Sequence, residues 1–411
     1  MESSTRTTPR KRRKKWSKTE WLLLLAPLLV IGGLAILNFV PQVKQSFREW
    51  RDYGNNRPYA VFYAGDDLTY NPIAFSPDGK YLAAAKRGTL PSNNGNHGIE
   101  VWDVLSRQQV SSWPVSGKDV FVNVLKFVSP DVLDVGTVMT INVTVMAMGV
   151  SQDFQSIRER RDIRSGKLLS SQQIPGAAEV PPDVLSAVSV FSRYRPHKTQ
   201  PEKLGKTKFS FKLLRIKTPI QVKRYKAFVV QWMAQIYDAQ GRKLRKPFAF
   251  LKYFDFSTGG DYSASAVEFC SSPDGKTLFI HTIIPAFSAG LGVNQDMNEW
   301  IEAIDTTTGR ILWKRFLTQH NKQNGLLRDI AFSPKSNVTA VLIDRYQGGV
   351  LQGGNVELRD TRTGAILRQF EVRPFTQNYA ISLYMQFSPD GKLLAIPQDD
   401  RLELWDVSDL R

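Results

Sequence analysis

Ser76-Pro77-Asp78-Gly79-Lys80 recurs as Ser272-Pro273-Asp274-Gly275-Lys276 and again as Ser388-Pro389-Asp390-Gly391-Lys392. Each copy follows a Phe, directly or after Cys270-Ser271, and each precedes a short apolar run. Proline presets φ at the second turn position, Asp tolerates the third, and Gly supplies the positive φ that lets the next strand return. Around the first copy, Ile73-Ala74-Phe75 and Tyr81-Leu82-Ala83-Ala84-Ala85 then read as an antiparallel hairpin. A third strand follows at 98–103, alternating apolar and polar residues, and a fourth at 107–115. One turn reused at long intervals marks a repeat architecture.

The same four-part unit can be walked along the chain. Its second signature is a strand that ends in Asp before a turn: Trp102-Asp103, Arg161-Asp162, Tyr237-Asp238, Ile304-Asp305, Arg359-Asp360 and Trp405-Asp406. Four of these turns carry Gly three or four residues on, at Gly166, Gly241, Gly309 and Gly364. The first-strand signature stands at Phe75, Phe127, Phe269, Phe332 and Phe387, and is faint in the third unit, around 188–191. Six Asp turns imply six units.

These residues resemble the WD-repeat family of β-propellers, in its bacterial-type form where Trp-Asp is often replaced. The resemblance spans residues 57–411 and implies an all-β propeller of about six four-stranded blades. The sixth unit reaches residue 411 with three strands, and Tyr59-Ala60-Val61-Phe62-Tyr63-Ala64 stands as a spare strand before the first. In such propellers the N-terminal strand often completes the final blade, which removes an open edge.

The N-terminus differs in kind. Residues 10–15 are all basic, and residues 21–40 contain no charge. Twenty residues at about 1.5 Å each span a bilayer core as a helix. Trp16 and Trp21 stand at one edge, and eight Lys/Arg precede the run against three shortly after it, at Lys44, Arg48 and Arg51. This asymmetry predicts a basic cytoplasmic tail (1–20), a transmembrane helix (21–40), a juxtamembrane linker (41–56) and a propeller (57–411) outside the cytoplasm. The expected location is the cell membrane, with a single pass. Gly33-Leu34-Ala35 offers a signal-peptidase pattern, but the apolar stretch runs on to Val40, so an uncleaved anchor is the reading adopted. In the linker, Val43, Phe47 and Trp50 share one helical face, which suits either a surface-lying turn or a simple extension of the span. A second apolar run at 132–150 contains Asp134 and alternates with period two, so it reads as a strand.

The net charge of +17 is uneven. Residues 193–252 hold seventeen Lys/Arg and two acids, residues 1–20 eight Lys/Arg and two acids, which leaves the remainder at −4. The third unit is therefore a basic patch. Its candidate anion- or partner-binding residues are Lys208, Lys212, Arg215, Lys217, Lys223, Arg224 and Lys226. Phe209, Phe211 and Leu213 alternate among them, which predicts basic side chains on the exposed face of a strand. Such a surface concentrates anionic partners in a salt-dependent way. Outside the cytoplasm the expected partners are an acidic protein, anionic lipid headgroups or an anionic surface polymer; nucleic acid enters only if the topology is inverted.

Loops expected at 87–97, 285–298 and 346–354 fall on the face opposite the Asp turns, where binding normally resides. Chemistry is not visible. His97, His197, His281 and His320 lack metal-ligand spacing, and no nucleophile elbow, P-loop or dinucleotide fingerprint appears. Asp66-Asp67 and Asp399-Asp400 read as turn acids. The triplets starting at Asn142 and Asn337 are acceptor patterns placed in predicted strands, and Cys270, the sole cysteine, reads as packing. No cofactor or metal is expected, and the chain reads as a non-catalytic interaction scaffold. One stretch supports an alternative: residues 303–313, ending in Trp313, resemble the tryptophan-docking repeat of quinoprotein dehydrogenase propellers. That resemblance implies a Trp packed between blades and a small ligand bound or transformed in the central funnel.

Overall fold

The computed structural model describes residues 57–65, 68–88, 96–115, 120–146, 149–174, 209–222, 225–238, 241–243, 246–255, 266–286, 296–319, 322–323, 325–347, 350–372, 385–398 and 400–410. The chain divides into a unit at Met1–Arg57 and a larger one at Pro58–Arg411. The proposed anchor at 21–40, the faint strand at 188–191, and Lys208, Lys223 and Arg224 lie outside the described residues. Among the described residues no helix is long and apolar enough to cross a membrane.

The larger unit is all-β and propeller-like, built from antiparallel meanders. The first sheet runs β2 (Leu68–Phe75), β3 (Tyr81–Gly88), β4 (Asn96–Asp103) and β5 (Gln109–Trp113), after a preceding strand β1 (Ala60–Tyr63). The second comprises β6 (Val120–Ser129), β7 (Val132–Met146), β8 (Gly149–Asp162) and β9 (Leu168–Ile174). Three described strands form the third: β10 (Phe209–Val222), β11 (Tyr225–Asp238) and β12 (Phe248–Asp255). The fourth holds β13 (Ala266–Ser271), β14 (Thr277–Ala286), β15 (Asp296–Asp305), β16 (Ile311–Gln319) and the two-residue β17 (Lys322–Gln323). The fifth holds β18 (Leu326–Phe332), β19 (Val338–Gln347), β20 (Val350–Asp360) and β21 (Ile366–Val372). The last joins β22 (Gln386–Phe387), β23 (Leu393–Pro397) and β24 (Arg401–Asp406) to β1 in the order β1-β24-β23-β22.

The spare N-terminal strand thus fills the vacancy at the other end of the chain, Ala60 pairing with Leu404 and Tyr63 with Arg401. The closing sheet packs on the first. Ala60, Phe62, Leu402 and Leu404 share a buried cluster with Tyr70, Ile73, Phe75, Leu82 and Trp102.

One turn chemistry repeats at each Ser-Pro-Asp-Gly. The Ser76 hydroxyl donates to Asp78 Oδ1 at 2.6 Å and accepts the Tyr81 N–H at 2.8 Å, while Gly79 sits at φ +73°. Ser272 and Ser388 repeat both bonds. The Asp turns are equally regular. Asp103, Asp162, Asp305 and Asp360 each accept both the N–H and the hydroxyl of the Ser or Thr three residues on. In the first turn Arg107 takes the place of Gly, at φ 60°. The donors hold these carboxyls below their ordinary range: the Ser76 hydroxyl for Asp78, the Ser106 N–H for Asp103, the Ser165 hydroxyl for Asp162 and the Thr308 N–H for Asp305. The two turn types are stitched together, because the residue after each Asp donates its N–H to the carbonyl just before the second strand. Val104 to Lys80, Ile163 to Asp131, Thr306 to Lys276, Thr361 to Asn337 and Val407 to Lys392 all do so at 2.8–3.0 Å. Both turns therefore share one end of each of these five sheets.

Three expectations need correction. Residues 346–354 are ladder, since β19 and β20 continue to Gln347 and from Val350, with Gly353 at φ 144° beside a register shift after Arg345. The extra residue of this bulge is Gln352, and Gly353 and Gly354 beside it are both paired. The loops at 87–97 and 285–298 are shorter than expected, because Arg87 pairs with Asn96 and Pro285 with Met297. Asn337 lies in an exposed turn ahead of β19, its Nδ2 donating to Asp360 Oδ2 at 2.9 Å. The run from Val132 is a strand, as its period indicated.

Candidate functional site

The basic positions of the third sheet fall on two faces. In the unbroken β10–β11 ladder, Arg215 pairs with Trp232, Lys217 with Val230 and Lys226 with Gln221. Strand alternation puts positions 215, 217 and 226 at one face, shared with Phe209, Phe211 and Leu213. Position 212, opposite Gln235, belongs to the other face with Ile216 and Thr218, both exposed. The reading of one basic face alternating with one apolar face is therefore corrected. Arg215 lies three positions after Lys212, an odd step that switches faces. Positions 215, 217 and 226 stand together; 212 stands apart from them.

A different set of charges recurs inside the ring. Three positions before the Asp that ends β4, β8, β15, β20 and β24 lies a Glu, at Glu100, Glu159, Glu302, Glu357 and Glu403, with Gln235 at the same place in β11. Each carboxylate is matched. Glu100 accepts the Tyr70 hydroxyl at 2.6 Å and pairs with Lys86. Burial, then the hydrogen bond to Glu100, drives the Tyr70 phenol far above its ordinary range. Glu159 pairs with Arg161, Glu302 with Lys314 at 2.8 Å, and Glu403 accepts Trp405 Nε1 at 2.9 Å. Glu357 takes Arg359 Nε at 2.8 Å from its own strand and Arg315 at 3.1 Å from the fourth sheet. Glu302, Glu357 and Glu403 are buried, and removing one partner of such a pair is costly, so these acids belong to the fold. The Glu-x-(Trp/Arg)-Asp spacing was the signal, one step upstream of the Asp turns.

Seams between sheets use aromatic rings. Phe62 stacks on Trp102 at 4.6 Å where the last sheet meets the first, and Phe370 on Trp405 at 4.1 Å where the fifth meets the last. Trp313 crosses from the fourth sheet to the fifth, donating from Nε1 to the Thr361 carbonyl at 3.0 Å beneath Gly364. The position of Trp313 between sheets is that implied by the docking-repeat resemblance. Trp113 meets Gly166 of the second sheet in the same way, so the device is not confined to one unit.

The described histidine pair, His281 Nε2 with Glu299 Oε1 at 2.8 Å, is likewise buried at a seam, where the Leu327 N–H donates to the same oxygen. Asp400 grips Arg401, a strand-end role. Among the described residues no group of three or more His, Cys, Asp or Glu is placed to hold a metal.

No protein-family model matches the chain, and no curated protein matches it in sequence. Solved structures with similar folds exist. Hydrazine synthase of Kuenenia stuttgartiensis is 13% identical with a TM-score of 0.40, over 82% of this chain and 95% of that one. The Dos1 propeller is 11% identical with a TM-score of 0.30, over 85% and 95%. The WD40 domain of SCAP from fission yeast is 11% identical with a TM-score of 0.23, over 82% and 64%.

Proposed function

We propose that this protein is a membrane-anchored, WD-repeat-like propeller of six blades that serves as a non-catalytic binding platform. Its third blade is the surface that engages an anionic partner. The observation that carries this reading is the charge map. Seventeen Lys/Arg against two acids fall in residues 193–252, while the carboxylates of the ring are tied into turns and seams. A sheet with that excess of positive charge, on an otherwise near-neutral ring, would steer anionic partners toward one edge. Residues 21–40 would hold the ring at the cell membrane, with the N-terminus cytoplasmic and the propeller outside.

The test is charge reversal. Lys212, Arg215, Lys217 and Lys226 are changed together to Glu in the full-length protein, and partners are recovered by crosslinking in intact cells. Loss of a stoichiometric partner, and a similar loss on raising salt, is the expected result. A partner retained by the reversed variant, or a ligand bound in the central funnel with indifference to both changes, would sink the platform.

A further inference from the structure

Each sheet has a ladder in one register, with the first residue of the strand before the Asp strand opposite the Asp: Tyr81 with Asp103, Val132 with Asp162, Phe209 with Asp238, Thr277 with Asp305, Val338 with Asp360 and Leu393 with Asp406. Differences in strand length must therefore emerge at the opposite end. β3 and β4 have 8 residues each, and β14 and β15 have 10. β7 has 15, and β8, β10 and β11 have 14. At about 3.3 Å per residue the hairpins of the second and third sheets overshoot those others by roughly 13 to 20 Å. The incoming chain meets the ring at the other end, where the Tyr59 hydroxyl donates to the Leu105 carbonyl and the Arg107 guanidinium lies 4.2 Å from the Tyr59 ring.

The two tall hairpins are chemically complementary. Residues 135–152 contain no charge, which is unusual for a segment that outreaches its neighbours. Its ladder pairs Val145 with Val150 and Val143 with Gln152, placing three valines and Gln152 at one face, and ends with Met146 opposite Gly149. The other face takes Asn142, Thr144, Ser151 and Asp153. The β10–β11 hairpin places Arg215, Lys217 and Lys226 at one face, and no acid falls between 203 and 237.

We propose that these hairpins together dock on an anionic lipid bilayer, the β7–β8 valine face and its end entering the headgroup region while the β10–β11 cations bind lipid phosphates. This deepens the platform reading of the third sheet and rests on it. An acidic protein would account for the cations but gives no role to a tall, uncharged, one-sided apolar hairpin beside them in sequence. Shallow apolar insertion reinforced by basic residues is the combination that peripheral bilayer binding requires. A second bilayer, separate from the one that residues 21–40 would enter, isolates this contact.

The full-length protein is reconstituted in phosphatidylcholine proteoliposomes, and capture of fluorescent vesicles with or without phosphatidylglycerol is measured. Capture should need phosphatidylglycerol. It should fall at least about tenfold in Lys217→Glu/Lys226→Glu and in Val143→Asp/Val145→Asp. Unchanged unfolding midpoints show that the variants are folded, and Val143→Ser/Val145→Ser replaces the Asp pair if that pair is not. Capture that ignores phosphatidylglycerol, or that survives either pair of changes, overturns the proposal. A protein partner lost on charge reversal in cells, without vesicle capture, overturns lipid docking and leaves the platform standing. Loss of neither overturns both.

Discussion

Positive-φ glycines occupy equivalent turns but different surroundings, which separates backbone strain from steric conflict. A Cβ added at Gly364 (φ +71°) would lie 2.5 Å from Trp313 Cγ, whereas at Gly166 (φ +66°) the nearest Trp113 atom is 3.5 Å away and at Gly241 (φ +77°) nothing lies within 4 Å. Alanine at each site costs about 1 kcal/mol for the left-handed backbone. Gly364→Ala adds about 1 to 3 kcal/mol, because Trp313 must leave its seam. Urea midpoints should rank Gly241→Ala and Gly166→Ala together, with Gly364→Ala clearly below; equal midpoints would remove Trp313 as a seam residue. A titrating group makes a second prediction. Part of Asp329 reaches the surface, yet its carboxyl is enclosed, and burial pushes it from 3.8 up to about 7 against the opposing pull of the Met385 and Ile330 N–H groups. The folded state then holds this proton more tightly than the unfolded chain. Stability should fall as pH rises from about 4 to about 7 and level off above that, because the folded state binds more protons across this window. Asp329→Asn removes this group's part of the slope and leaves that of Asp344, which burial also raises, but its amide NH2 cannot accept one of the two N–H donors. The variant should be less stable than the parent at pH 5, with a gap that narrows toward pH 8 in denaturant titrations.

At the scale of elements, ring closure rests on four residues. β1 adds the fourth strand to the last sheet, and Phe62, buried there, stacks on Trp102 of the first. Removing β1 exposes the edge of β24 and opens the cluster that joins the two ends, a loss of about 3 to 5 kcal/mol for Phe62 alone. Deleting residues 1–56 should keep one cooperative unfolding transition, and deleting 1–64 should lower its midpoint sharply or yield aggregates on gel filtration. Equal midpoints would mean that the ring does not depend on this closure. The vacancy and its filler were legible in sequence because Ser, Pro, Asp and Gly at these turns answer to backbone φ and local hydrogen bonds, which neighbouring residues determine. The ladder at 346–354 was not, since Gly353 and Gly354 carry no side-chain pattern to reveal a strand. Nor were the buried glutamates. Their burial is intelligible only beside partners such as Arg315 and Lys314, which other strands supply. The face of the basic residues was half legible. The basic composition is plain in the sequence, but the odd step from Lys212 to Arg215 divides the set between two faces.

At the scale of the whole molecule, charge and topology must be read together. The +17 resides in residues 1–20 and 193–252, with the remainder at −4. A basic segment just before an apolar run of bilayer length is retained on the cytoplasmic side, which would carry everything after residue 40 across. On that topology the basic third sheet would meet lipids, polymers and proteins outside the cell, where nucleic acid would not compete for it. Inversion would change the partner class completely, because an unoccupied cationic sheet in the cytoplasm faces RNA and DNA at high concentration. Leu105 offers a way to decide, being 83% exposed in the first Asp turn. Cys270 is the sole cysteine, so Leu105→Cys in a Cys270→Ser background carries one thiol at a known place. A membrane-impermeant maleimide should label it in intact cells as fully as after permeabilisation. Labelling that appears only after permeabilisation would put the ring in the cytoplasm and replace anionic lipids and surface polymers with nucleic acid as the partner to test. The same label, followed as vesicles are added, would report whether the Asp-turn end stays open to solvent while the hairpin end is engaged, as opposite ends of one ring require.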